Sequence, residues 1–265
     1  MSDRHEISVE IGGLPILLRT SDPAFKNLLA DRYEKFLGHG SRPRFSFDVD
    51  LMPPSEQYED EDAHVEVRGS EWQLRRGDFL AEWDPSAGRG TIRQSPNPYS
   101  LDSVLRIVHT LVLAREGGFL LHAASAIRNG RAFLFSGVSG AGKTTISRLI
   151  PEDAILLTDE ISYVRRTDTG YEACGTPFAG ELARVGENRS APIRGLYFLE
   201  KGSGNRIDEI SSTNATGLLL RNILFFAEDA ELVSLLFQAA CEFVERVPVR
   251  RLTFFPDERV WDLIG

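Results

Sequence analysis

The chain has 265 residues with 42% of them apolar, enough to build a packed core, which excludes a disordered protein. Its 30 Lys and Arg against 39 Asp and Glu give a formal net charge of −9, which argues against nucleic acid or an anionic membrane as the main partner. Lysine occurs only as Lys26, Lys35, Lys143 and Lys201, so arginine supplies nearly all of the positive charge.

The amino-terminal residues are charged and lack the apolar stretch of a signal peptide, and the greasiest region, residues 218–243, is interrupted by Arg221, Glu228, Asp229 and Glu231. A cytoplasmic protein is expected. Cys174 and Cys241 cannot form a disulfide framework and read as small buried hydrophobes. Residues 6–18 alternate around a Gly12-Gly13 turn, and residues 22–37 carry helical spacing with Ser21 or Asp22 as N-cap. Pro43 opens a strand through Phe45, Phe47, Val49 and Leu51, and residues 55–62 form an acidic loop. Strand-like segments follow at 64–67, 71–74, 79–83 and 90–93. Residues 1–95 are therefore expected to be a mostly β region of unassigned role.

A second unit, residues 96–265, opens after the turn-rich Ser95-Pro96-Asn97-Pro98. Leu101, Val104, Leu105, Val108, Leu111 and Val112 mark one helix face, with His109 as a core histidine and Gly117-Gly118 as the stop. Gly137-Val138-Ser139-Gly140-Ala141-Gly142-Lys143-Thr144 fits G-x-x-x-x-G-K-[ST], followed by Thr145 in a short helix. In such a loop backbone N–H groups cradle phosphates, the lysine reaches the β- and γ-phosphates, and the hydroxyl binds Mg²⁺. Nucleotide binding is the firmest expectation.

Two neighbours extend that expectation. Asn129-Gly130 between apolar runs predicts a two-residue hairpin, which sets Arg128 opposite Arg131, Ala126 opposite Phe133 and His122 beside Gly137. Downstream, residues 154–158 form an apolar strand ending in Asp159-Glu160. One carboxylate there can hold the metal and one can accept a proton, and both can serve only if the strand has already bent away. The short interval from Lys143 to Asp159 sets this arrangement apart from motor-type and switch-type NTPases.

Leu121-His122-Ala123-Ala124-Ser125, the loop at 137–144 and Leu157-Thr158-Asp159-Glu160 together resemble the HPr kinase/phosphorylase and ATP-dependent PEP carboxykinase group, over residues 119–199. The resemblance implies an α/β fold (α+β as the alternative) with a P-loop core of that type. It implies that Lys143 binds the β/γ-phosphates, Thr144 the Mg²⁺, that His122 sits by the transferred phosphate, and that Asp159 or Glu160 is base and metal partner. This sequence departs in having Glu160 where the group has a second aspartate, Pro192 at the glutamate before Ile193-Arg194-Gly195, and no Pro-Gly-Arg-Asn stretch. HPr as acceptor and phosphorylase activity are left open. Residues 175–190, with Arg184 and Arg189, are expected to cover the phosphates, and Arg184, Arg189 or Arg194 to neutralise charge.

The expected function is transfer of the γ-phosphoryl of Mg-ATP to a hydroxyl of a protein, peptide or small molecule, with homo-oligomerisation left open. The alternatives are an NTPase with no phosphoacceptor and a non-catalytic nucleotide-sensing or interaction module.

Overall fold

A computed structural model describes residues 4–38, 40, 42–53, 62–180, 182 and 185–264. The chain is mixed α/β with two large mixed sheets. It divides into two compact units, residues 1–111 with 225–230, and residues 112–224 with 231–265. Among the described residues no helix is long and apolar enough to cross a membrane.

In the first unit β1 (His5–Ile11) and β2 (Leu14–Thr20) form a hairpin whose turn residues Gly12 and Gly13 have φ of 60° and 76°. Helix α1 (Pro23–Arg32) starts on Asp22, whose carboxylate accepts from the amides of Ala24 and Phe25. The predicted helix to residue 37 stops earlier. Tyr33 caps it, and a 3₁₀ turn (Glu34–Phe36) keeps Tyr33 and Phe36 buried, which is why the apolar spacing continues past the helix end. Strands β3 (Phe45–Leu51), β4 (His64–Arg68), β5 (Glu71–Arg76), β6 (Phe79–Asp84) and β7 (Arg89–Gln94) complete a sheet in the order β1-β2-β3-β7-β6-β5-β4. Alternating residues such as Phe45, Phe47 and Val49, or Phe79, Ala81 and Trp83, bury one face. Helix α2 (Pro98–Glu116) carries the buried Asp102, which accepts from the Tyr33 hydroxyl at 2.6 Å and the Arg32 guanidinium at 2.5 Å. His109, expected in the core, is fully buried, and α2 ends at Gly117 with φ 74°. The acidic loop expected at residues 55–62 lies, up to Glu61, outside the described residues.

In the second unit β8 (Phe119–Arg128) and β9 (Arg131–Ser136) form the predicted hairpin, with Asn129 and Gly130 at φ 51° and 71°. Its register pairs Arg128 with Arg131, Ala126 with Phe133 and Ala123 with Ser136. There follow α3 (Lys143–Arg148), β10 (Ile155–Thr158), β11 (Ile161–Thr167), β12 (Gly170–Cys174), β13 (Ser190–Lys201), β14 (Arg206–Glu209), α4 (Ser212–Leu220), β15 (Ile223–Leu224), α5 (Ala230–Arg246), β16 (Val249–Phe254) and α6 (Val260–Ile264). Strand pairings β8–β9, β9–β13, β13–β12, β12–β11 and β11–β8 close a circuit. Both β9 and β16 run parallel to β13. The core of this unit packs Phe133, Phe135, Tyr197, Leu252, Phe254 and Trp261 against Ile146 of α3. Cys174 is buried, which pushes its thiol up to about 11, whereas Cys241 is only partly covered.

Candidate active site

The carboxyl ends of β9, β13 and β16 lie along one edge, with Ser136 beside Phe198 and Lys201 beside Phe254. The glycine loop occupies it. At Gly142, φ is 118° and an added Cβ would come within 2.6 Å of the Phe254 ring, so only glycine fits over that aromatic floor. Ala141 packs into the core below, while Val138 is 77% exposed. Lys143 opens α3 and is buried, with Nζ donating to the Gly137 carbonyl at 3.0 Å. The ammonium is thus held against the loop.

Beside it, β8 is a hinge between two partner sets. Its outer half pairs with β9 and β10, and its inner half with β15 and β11. The change of partners falls at residues 122–124. On one edge the glycine loop leaves β9 there. On the other, β10 stops at Thr158 and β11 resumes along the same strand at Ile161, so Asp159-Glu160 form a jog rather than the end of a strand line. Thr158 shapes the jog, because its hydroxyl accepts from the amides of Glu160 (3.3 Å) and Ile161 (3.2 Å), and the Glu160 carbonyl accepts from Ala123 N at 2.8 Å. Both carboxylates therefore reach the same cleft, which a continuous strand would forbid.

Asp159 is only 3% exposed, and its two carboxylate oxygens accept from Gly180 N (2.9 Å) and Leu182 N (3.0 Å). Gly180 packs so closely that an added Cβ would lie 2.8 Å from Glu160 Oε2. His122 is half-buried, with its amide donating to Asn222 O and its carbonyl accepting from the Ser136 hydroxyl. Burial first, and then the nearby Lys143 ammonium, hold its imidazole below the ordinary histidine range, so it is neutral at pH 7.

Together these elements enclose a cleft of about 370 Å³ lined by His122, Ser139, Gly140, Gly142, Lys143, Thr144, Thr145, Asp159, Glu160 and Lys201. Of the predicted site residues, Gly137, Val138 and Ala141 shape the loop without lining the cleft. Lys201, the exposed last residue of β13, also lines the cleft. It makes no ion pair among the described residues. No local motif marks it, because only the parallel β9–β13 pairing brings it there. Arg189 and Arg194 are exposed and do not line the cleft; Glu181, Ala183 and Arg184 lie outside the described residues.

A family model described as "SynChlorMet cassette protein ScmC" matches residues 97–265, which include every residue of this cleft. The chain belongs to the ScmC family. This overturns the resemblance to the HPr kinase/phosphorylase and PEP carboxykinase group, since the match falls on ScmC instead. Short motifs of this kind recur on chains of different descent. Glu160 and Pro192 already stood apart from that group. No curated protein matches the chain at a significant level.

Among the described residues of this ScmC chain no three His, Cys, Asp or Glu side chains cluster as a metal site. Thr144, Asp159 and Glu160 nevertheless bring hard oxygen donors to one cleft beside Lys143. Mg²⁺ suits such a set, because it takes one or two carboxylates and completes its shell with phosphate oxygens and water. Asp159 has lone pairs left after accepting its two amides.

Proposed function

We propose that this chain binds Mg-ATP on a P-loop at residues 137–144 and transfers the γ-phosphoryl group to a hydroxyl of a protein, peptide or small molecule. The observation that carries this reading is the convergence of Lys143, Thr144, His122, Asp159 and Glu160 on one cleft at the end of β9. The loop amides and Ser139 cradle the phosphates, and Lys143 exchanges the Gly137 carbonyl for β/γ-phosphate oxygens. Lys201 adds a second ammonium from the adjacent strand. Bound Mg²⁺, held by Thr144 and Asp159, would neutralise charge on the β- and γ-oxygens. Asp159 is suited to a fixed ligand because two amides immobilise it. Glu160, the less buried carboxylate, takes the proton of the attacking hydroxyl. Neutral His122 offers a hydrogen bond near the transferred group without competing with Lys143 for charge. Catalysis would rest on positioning and charge neutralisation.

The test is transfer of label from γ-labelled ATP to protein, peptide and small-hydroxyl pools, with wild type, Lys143→Met and Glu160→Gln. Transfer by wild type that falls about a hundredfold or more in both variants is expected. Release of labelled phosphate alone would favour an NTPase. ATP binding with neither transfer nor hydrolysis would favour a nucleotide-sensing module.

A further inference from the structure

A second and larger cleft, about 610 Å³, opens between residues 203–205 and the segment 255–263. We propose that it receives the nucleoside half of the nucleotide, with the base against Phe255; this rests on the nucleotide-binding reading above.

Continuity with the phosphate loop is the first ground. Lys201 lines the loop cleft and Ser203, two residues further on, lines the second. Likewise Phe254 floors Gly142, and the next residue, Phe255, lines the second cleft. Neighbouring strands stand about 4.8 Å apart, so the end of β16 lies about 10 Å across from the end of β9, within the reach of one nucleotide. Direction is the second ground. The strand order β10–β8–β9–β13–β16 sets the acidic pair on one flank of the loop strand and this cleft on the other. A triphosphate laid across the loop therefore has its γ-end at Glu160 and its nucleoside end here. An acceptor in this cleft would be separated from Glu160 by the whole phosphate chain.

The chemistry of the walls agrees. Phe255 and Leu263 are large apolar side chains left 47% and 44% exposed, an aromatic face and an aliphatic wall for a heterocycle. Asn205 fixes the platform, its Oδ1 accepting from Phe255 N at 2.9 Å. Asp257 accepts from Asn205 and Arg259 and so holds the polar side of this cleft in place.

The experiment is calorimetric titration of ATP and of inorganic tripolyphosphate, each with Mg²⁺, into wild type, Phe255→Ala, Leu263→Ala and Lys143→Met. ATP is expected to bind wild type more tightly than tripolyphosphate. Phe255→Ala should weaken ATP by about 5- to 100-fold, from lost base stacking. Leu263→Ala should weaken ATP in the same direction, and both variants should leave tripolyphosphate within about twofold. If Phe255→Ala and Leu263→Ala leave ATP unchanged while Lys143→Met still abolishes both ligands, the nucleoside lies elsewhere and this proposal fails alone. Equal losses for both ligands in Phe255→Ala would overturn it too. If wild type binds neither ligand, the nucleotide-binding reading itself fails.

Discussion

Single residues in the cleft serve fold and chemistry together, so their substitutions should separate the two. Asp159→Ala leaves the amides of Gly180 and Leu182 without their acceptor, a loss of about 1–3 kcal/mol in a urea titration, before any effect on the reaction. Gly142→Ala combines a left-handed φ of 118° with a collision against Phe254, and should cost about 1–3 kcal/mol by thermal melting while weakening ATP binding. His122 is neutral above its lowered range. ATP affinity of wild type and His122→Gln should therefore run parallel from pH 7 to pH 8, with any gain from a histidine cation appearing only on acidification. The loop with Lys143 was legible in the sequence because its chemistry is written in eight consecutive residues. Lys201 was not, because its position depends on a parallel pairing with β9, to which no local pattern connects it.

Elements show the same division between local and non-local signals. The Asn129-Gly130 hairpin was readable to the register, since turn type and loop length fix the pairing of β8 with β9. From that register alone His122 falls beside the loop. The jog at Asp159-Glu160 was readable only as a condition, that the strand must bend for both carboxylates to serve. The bend depends on Thr158 and on the resumption of β11 along β8, which periodicity does not encode. Short, less regular elements such as β14, β15 and α6 carry too few residues for a period to show. In the first unit α1 and α2 are tied by Asp102 to Arg32 and Tyr33, with Asp102 98% buried by its 2% exposure. Burial and the Asp102 charge hold the Tyr33 hydroxyl well above its ordinary range, so it donates throughout the physiological range. Asp102→Ala should cost about 3 kcal/mol, read as a lower denaturation midpoint with an unchanged denaturant slope, because it strands a largely buried guanidinium.

For the whole molecule, composition announced a packed chain, while lineage came from the ScmC match and not from short motifs. Global stability should carry the mark of one buried histidine. Burial lowers His109 to about 3, whereas in the unfolded chain it titrates near the ordinary 6.5. Between those values the unfolded chain binds a proton that the folded chain refuses, so stability is full above about pH 6.5 and falls as pH drops, by about 1.4 kcal/mol per pH unit. Replacing His109 with leucine should shrink the stability difference between pH 7 and pH 5 by about 2 kcal/mol in urea titrations. The acidic overall balance is no obstacle to an anionic ligand, because Lys143 and Lys201 line one cleft and, with loop amides and a cation, would reverse the sign locally. The most direct measurement is a crystal structure with Mg²⁺ and a non-hydrolysable ATP analogue. Lys143 Nζ is expected to leave Gly137 O for the β/γ-phosphates, with the γ-phosphate beside His122 and Glu160. An analogue bound away from residues 137–144, with Lys143 still on the Gly137 carbonyl, would contradict it.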